Sequence, residues 1–102
     1  MHLVQILLPL YDNDGNPIPQ LQFRRFSQEM ADSFGGLTAF TRAPAEGLWK
    51  DGAEKTSHDE IVVFEVMTDT LDRTWWSGYR EELERRFRQE LIVIRAQEMQ
   101  QL

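Results

Sequence analysis

The sequence contains no cysteine, which excludes a disulfide scaffold, a thiolate metal site and a cysteine nucleophile. Histidine occurs only twice, so few residues could serve as the histidine of a catalytic triad. Basic residues number 11 against 17 acidic ones, and the net charge of −6 disfavours nucleic acids and anionic membranes as partners, since both require a basic surface. A basic protein partner remains compatible with this charge.

Long apolar runs and targeting signals are also missing. No run approaches the roughly 18 apolar residues of a membrane span. The N-terminus lacks the basic segment and the small-residue cleavage site of a signal peptide. We therefore expect a soluble cytoplasmic protein.

The residues that are present suit one folded domain covering positions 1–102. This length lies within the usual domain range of about 50 to 250 residues. Hydrophobic residues make up 41% and aromatic residues 11% of the chain, which is too many for a disordered segment.

Hydrophobic periodicity predicts four strands and two helices in the order βαββαβ. A bulged or hairpin extension over Leu48–Trp49 follows the second strand, and a polar loop follows over Lys50–His58. The predicted elements are strand Leu3–Leu10, helix Pro19–Phe34, strand Leu37–Thr41, strand Ile61–Met67, helix Leu71–Arg88 and strand Leu91–Ala96.

Local signals define the ends and faces of both helices. Pro19 suits a first helical turn, and Gly35 suits a left-handed cap after the first helix. Asp69 or Thr70 is the predicted cap of the second helix. On that helix a buried stripe is predicted from Trp76, Tyr79, Leu83 and Phe87, and surface ion pairs from Glu81–Arg85, Glu82–Arg86 and Glu84–Arg88.

This order of elements predicts an α+β, ferredoxin-like βαββαβ sandwich. Its antiparallel sheet has the spatial order 4-1-3-2, with both helices on one face. Strand alternation places Val62, Phe64 and Val66 toward the helices, and Ile61, Val63 and Met67 toward the open face. Such an apolar open face marks an interface. We therefore expect a homodimer through the open sheet face, which would form a dimeric α+β barrel.

Three polar residues interrupt that open face at levels that could match. Gln5, Glu65 and Arg95 lie on the first, third and fourth strands, with Gln5 in the middle. They form either an ion pair that fixes dimer register or a polar anchor inside a ligand cavity.

Tryptophan and arginine supply a second candidate contact. Trp75 lies about 80° from the centre of the buried stripe, from the helical period, so we expect it to be partly covered. Trp49 stands near Arg42, and an exposed tryptophan beside arginine is typical of interface hot spots. Arg42, Trp49 and Trp75 therefore form either a ligand or interface contact or peripheral core packing.

Motifs with an assigned chemistry are missing from the chain. There is no Gly-x-Ser-x-Gly nucleophile elbow. His58 and Glu60 share a strand face, but two ligands are short of the three that a catalytic zinc normally needs. We therefore expect no metal, no cofactor and no identifiable catalytic residue.

The stretches Phe34-Gly35-Gly36-Leu37-Thr38 through Gly47-Leu48-Trp49, Asp59 to Val63, and Trp75-Trp76 resemble a family of small bacterial proteins of unknown function. The similarity covers nearly the whole chain. The Phe-Gly-Gly-Leu-Thr and Gly-Leu-Trp elements also resemble a domain of unknown function. These resemblances imply a bacterial ferredoxin-like protein, and they imply no activity or functional residues.

Two functions of different kinds follow from these observations. The favoured hypothesis is a non-catalytic dimeric binding or protein-interaction module, because no catalytic motif is present. The alternative is a cofactor-free dimeric α+β barrel enzyme of the isomerase, lyase or monooxygenase type. In that enzyme Glu65 would be a general base and Arg95 an anion or oxyanion stabiliser.

Overall fold

The computed structural model describes the backbone of residues 1–50 and 56–102, and the side chains of residues 1–40 and 60–102. Four strands and two helices alternate in the predicted order, which confirms the α+β class. Their bounds are β1 His2–Pro9, α1 Gln20–Phe34, β2 Thr38–Lys50, β3 Thr56–Thr68, α2 Arg73–Arg86 and β4 Val93–Glu98.

The strands form one antiparallel sheet in the order β2-β3-β1-β4. Read from the other edge this is 4-1-3-2, so the predicted ferredoxin-like topology is confirmed. The central pair is β1 with β3, in which Val4 lies opposite Val66 and Ile6 lies opposite Phe64. Both helices contribute to the hydrophobic core that covers this face.

The core is built from the side chains that alternate toward the helices. Ile6 and Leu8 of β1 are completely buried, as are Phe26 of α1 and Leu83 of α2. Burying a side chain of this size contributes about 1.5 to 3 kcal/mol. The predicted stripe of Trp76, Tyr79, Leu83 and Phe87 is buried as a whole.

Helix α1 matches its prediction to within one residue. Pro19 has a φ of −59° and precedes the first helical residue, Gln20. The helix ends at Gly35, whose φ of 78° is the left-handed conformation that glycine adopts without steric cost. Its N–H donates to the carbonyl of Ala31 at 2.8 Å.

Helix α2 begins later than predicted, because Asp72 caps it in place of Asp69 or Thr70. Asp72 has an extended backbone, and its Oδ1 accepts a hydrogen bond from the N–H of Trp75 at 3.0 Å. An acceptor three residues ahead of an unpaired backbone N–H is the usual capping geometry. The predicted start at Leu71 and the predicted caps were therefore wrong.

The three ion pairs predicted on α2 do not form among the described residues, and Glu84 pairs with Arg80 instead. Arg88 has a φ of 52°, and the N–H of Gln89 donates to the carbonyl of Glu84, which is the pattern of a left-handed helix stop. Arg88 therefore leaves the helix and pairs with Asp14 at 3.0 Å instead of with Glu84. Arg86 points to Glu29 of α1 instead of to Glu82.

The second and third strands form a longer hairpin than predicted. Leu48 and Trp49 pair in register with β3, which confirms the predicted extension as a hairpin, and the register shift lies earlier, between Phe40 and Ala45. Lys50 pairs with Thr56, and Leu48 pairs with His58, so part of the predicted polar loop is strand. Residues 51–55 lie outside the described residues.

The last strand runs from Val93 to Glu98, two residues later than predicted. Ile92 is buried just before it, and its N–H donates to Glu84 Oε2 at 2.9 Å. Ile94 is half-buried, and Ala96 is exposed in spite of its predicted place in the core. Among the described residues, no helix has the length and apolar content that a bilayer crossing requires.

Candidate functional site

A polar row crosses the open face of the sheet and consists of Glu65, Gln5 and Arg95. The pairing register sets Gln5 directly opposite Glu65 on one side and opposite Arg95 on the other. Gln5 Nε2 donates to Glu65 Oε2 at 2.7 Å, and Arg95 Nε donates to Gln5 Oε1 at 2.8 Å. The alignment predicted from strand alternation is therefore present, and the role of the row as a site stays a prediction.

Gln5 separates the two charges of the row. Its amide nitrogen faces the carboxylate and its amide oxygen faces the guanidinium, so both neighbours fix the orientation of the amide. Neighbouring strands are about 4.8 Å apart, which places the Glu65 and Arg95 backbones about 10 Å from each other. The row therefore presents a negative end and a positive end to the open face.

The surroundings of the row are mostly apolar. Leu3 and Leu7 flank Gln5 along β1, and Val63 and Met67 flank Glu65 along β3. Leu7 is buried, Leu3 and Val63 are half-buried, and Met67 is 46% exposed. Charged groups in apolar surroundings interact more strongly with a ligand than the same groups in water.

An aromatic cluster lies on the helix side of the sheet. Trp75 is 39% exposed, which confirms the partial cover predicted from its helical position. It stacks on Tyr79 with ring centroids 4.9 Å apart and meets Trp76 edge to face. The side chains of Arg42 and Trp49 lie outside the described residues, so their predicted contact with Trp75 stays a prediction.

A cavity of about 330 Å³ opens beside this cluster, between the end of α1 and the start of α2. The sequence patterns did not indicate it, because helical periodicity identifies faces and cannot show which helix ends meet. The sequence does mark where α1 ends, at Phe34-Gly35-Gly36, and Asp72 can mark where α2 begins. These two helix ends were the available signal for the cavity. The cavity is lined by Ser33, Phe34, Thr70, Asp72, Trp75 and Trp76.

Polar groups of Glu29, Arg86 and Tyr79 lie beneath the cluster, where Arg86 of α2 contacts Glu29 of α1. Arg86 holds Glu29 by two contacts, Nη2 to Oε1 at 2.6 Å and Nη1 to Oε2 at 3.2 Å. Burial raises the pKa of Tyr79 to about 12, and the negative charge of Glu29 adds to this effect. Tyr79 is therefore protonated at neutral pH, and this group of residues connects α1 to α2.

The side chain of Asp12 fixes the turn after β1. Asp12 Oδ1 accepts from the N–H groups of Asp14 at 2.9 Å and Asn16 at 3.0 Å. The bond from Asn16 is the largest cause of the lowered pKa of Asp12. Across the described part of the chain, no three histidine, aspartate or glutamate side chains are placed to share a metal ion. The side chain of His58 lies outside that part.

Comparison with known proteins gives a structural likeness and no sequence match. No family model matches the chain, so the predicted membership of a small bacterial family stays a prediction. No curated protein matches it either. The fold is similar to that of a phage SAM lyase in complex with S-methyl-5′-thioadenosine, with a TM-score of 0.65, 14% identity, and coverage of 95% of this chain and 80% of that one.

The same lyase in its apo state gives a TM-score of 0.60 at 13% identity, covering 94% of this chain and 78% of that one. At this identity the likeness establishes a shared fold. Both of these solved structures are those of an enzyme, and this finding contradicts the favoured hypothesis of a non-catalytic binding module. The enzyme alternative is the better supported of the two functions.

Proposed function

We propose that this chain is an enzyme that cleaves a sulfonium nucleoside of the S-adenosylmethionine type at the open face of its sheet. The fold is similar to that of a SAM lyase. The observation that carries the proposal is the row of Glu65, Gln5 and Arg95, which presents opposite charges on an otherwise apolar surface.

The charges of the row match those of the substrate. The methionine part of S-adenosylmethionine carries a carboxylate at one end and positive ammonium and sulfonium groups. Arg95 uses Nε to hold Gln5, so its two terminal nitrogens are the ones that would bind the carboxylate as a fork. Glu65 uses Oε2 for Gln5 and would offer its other oxygen to the ammonium group.

The chemistry breaks the bond between the sulfonium sulfur and the neighbouring carbon of the methionine part. The sulfur keeps the electron pair of that bond and leaves as the neutral thioether S-methyl-5′-thioadenosine, while a base takes a proton from the next carbon and the electron pair of that C–H bond forms a carbon–carbon double bond. Charge disappears at sulfur as the bond breaks, and apolar surroundings favour a step in which charge is lost. Leu3, Leu7 and Val63 supply such surroundings beside the row.

The direct test is to incubate the purified chain with S-adenosylmethionine and to measure S-methyl-5′-thioadenosine by chromatography. We expect the wild type to release it, and Glu65→Gln or Arg95→Gln to lower kcat/KM at least about 10-fold, the typical cost of losing one charge-assisted hydrogen bond. Glu81→Gln and Arg73→Gln remove the same charges from the exposed surface of α2 and serve as matched controls. Absence of product with the wild type would overturn the proposal, as would full rates in both row variants.

The base role predicted for Glu65 needs a separate experiment. A base would remove a proton from the carbon next to the one that loses sulfur, and that electron pair would form a new carbon–carbon double bond. With substrate deuterated at that position, the four-carbon product would lose one deuterium. If the product keeps all its deuterium, Glu65 does not act as a base and the proposed elimination is wrong.

We also propose that a second copy of the chain covers the open face. A two-fold axis parallel to β1 and above Gln5 would reverse the row, so the two copies would turn ends of opposite charge toward one shared space, and the substrate would lie in that space between them. Solution mass by light scattering should give a dimer. Val63→Lys should produce a monomer, while Leu21→Lys on the exposed surface of α1 should not; a wild-type monomer contradicts the proposal.

A further inference from the structure

The cavity between the end of α1 and the start of α2 is separate from the proposed active site. Its lining residues lie at the helix ends, on the covered side of the sheet. The row of Glu65, Gln5 and Arg95 lies on the opposite side. One small molecule cannot contact both, so a ligand of this cavity is a second ligand, independent of the proposed reaction.

Trp75 offers the cavity a flat aromatic surface. One face of its ring is stacked on Tyr79, with the two planes inclined by only 13°. Tyr79 is not among the residues that line the cavity, whereas Trp75 is. Since Trp75 is 39% exposed, the part of its ring turned away from Tyr79 is the part that a ligand in the cavity meets.

The arrangement of the rings favours a planar ligand over an organic cation. Recognition of a cation requires several aromatic faces turned toward one point. Here Phe34 and Trp76 are stacked on each other, with centroids 5.2 Å apart, and Trp76 is only 6% exposed. Their faces are used in packing, and Trp75 is the ring with a large exposed surface in the cavity lining.

Polar side chains that line the cavity can form hydrogen bonds with hydroxyl groups of a ligand. Asp72 lines the cavity, and its carboxylate carries a second oxygen beyond Oδ1, which caps α2. An acidic side chain that accepts from ribose hydroxyls is a recurring feature of nucleoside recognition. Ser33 and Thr70 add two hydroxyl groups to the lining. The negative charge of Asp72 disfavours a phosphate at the same place.

We propose that this cavity binds a purine nucleoside, with the base stacked on Trp75 and the ribose hydroxyls donating to Asp72. The volume of about 330 Å³ lies near the lower end of the range for ligand pockets, about 300 to 1,000 Å³, which fits a nucleoside better than a dinucleotide. Binding a base on tryptophan is tolerant of base identity, so adenosine is a suitable probe.

The experiment is a calorimetric titration of the whole chain with adenosine. We expect saturable binding that Trp75→Leu weakens about 10-fold or more, the factor for loss of one base–aromatic stack. Trp75→Phe keeps a ring and should retain more of the affinity than Trp75→Leu. Tyr11→Leu removes an exposed aromatic ring from the turn after β1, at the opposite end of the sheet, and should leave binding unchanged.

Additional ligands and variants in the same titration test which groups of the ligand are recognised and where it binds. 2′,3′-Dideoxyadenosine should bind more weakly than adenosine if Asp72 accepts from the ribose. Glu65→Gln should leave adenosine binding at this cavity unchanged, and Trp75→Leu should leave S-methyl-5′-thioadenosine release unchanged, which separates this inference from the proposed function. The inference is overturned if millimolar adenosine gives no saturation, if Trp75→Leu binds as well as wild type, or if indole binds as tightly as adenosine.

Discussion

The two faces of the sheet are made by the same strands and differ in what those strands present. On β1, Ile6 points toward the helices and is completely buried, while its neighbour Gln5 points to the open face and holds two charged side chains. On β3, Phe64 and Glu65 show the same contrast.

This difference separates the face that supplies stability from the face on which we propose the active site. The covered face contains the main cluster of buried hydrophobic residues, which supplies most of the favourable free energy of folding. The open face carries a polar row in the middle of apolar side chains, which contributes little to packing. Residues that stability does not require are candidates for function.

The largest effect on stability is expected from the covered face. Ile6→Ala should lower the free energy of unfolding by about 2 to 5 kcal/mol, because it leaves a cavity among fully buried neighbours. Urea denaturation measures this change. Leu21→Ala, at a position of α1 that is 71% exposed, is the control and should stay within about 0.5 kcal/mol. If Ile6→Ala lowers the free energy of unfolding by less than about 1 kcal/mol, the two faces do not differ in their contribution to stability.

A pH-dependent effect is expected from the same side of the molecule. The pKa of Tyr79 is raised from 10.0 to about 12, mainly by burial. Between these values the unfolded chain releases the phenol proton while the folded chain keeps it, so stability falls as pH rises. The contribution is complete below pH 10 and is lost as pH passes 12. Urea midpoints measured across this window should show wild type losing stability relative to Tyr79→Phe as pH rises. Parallel curves would show that folding does not raise the pKa of Tyr79.

A smaller effect is expected at the start of α2. Asp72→Ala removes the side chain that accepts from the N–H of Trp75 and should cost about 1 kcal/mol. Asp72→Asn keeps a good capping residue and should remain within a few tenths of wild type. Thermal melts monitored by circular dichroism distinguish the two variants. Equal loss in both would mean that the charge of Asp72, and not its cap, stabilises the helix.

The smallest effect on stability is expected on the open face. Glu65→Gln and Arg95→Gln should each change the free energy of unfolding by less than about 1 kcal/mol, because the groups they remove are partly or fully exposed. Urea denaturation checks this beside Ile6→Ala. A cost of several kcal/mol in either variant would indicate a structural ion-pair network and would remove the contrast between the two faces.

Much of the fold could be predicted because it follows from short-range patterns. Alternation in β1 and β3 determines which side chains share a face, and therefore the alignment of Gln5 with Glu65 and Arg95. Gly35 ends α1 at the expected place, since a left-handed residue is easiest for glycine.

The errors concern features that depend on tertiary contacts. Arg88 adopts a left-handed conformation that its residue type does not favour, and it contacts Asp14 in a distant turn. Arg86 forms its ion pair with Glu29 on the other helix, and not with Glu82 on its own helix. The cavity beside Trp75 requires two helix ends to meet. The preference for a non-catalytic module is contradicted by the likeness to an enzyme, and it rested on absent motifs, which do not exclude catalysis.

The most direct test of the account measures stability and turnover on the same protein preparations. Glu65→Gln should unfold at nearly the wild-type urea concentration while releasing S-methyl-5′-thioadenosine from S-adenosylmethionine at least about 10-fold more slowly. This result would place function on the open face and stability on the covered one. A Glu65→Gln variant that turns over substrate at the wild-type rate would contradict the account.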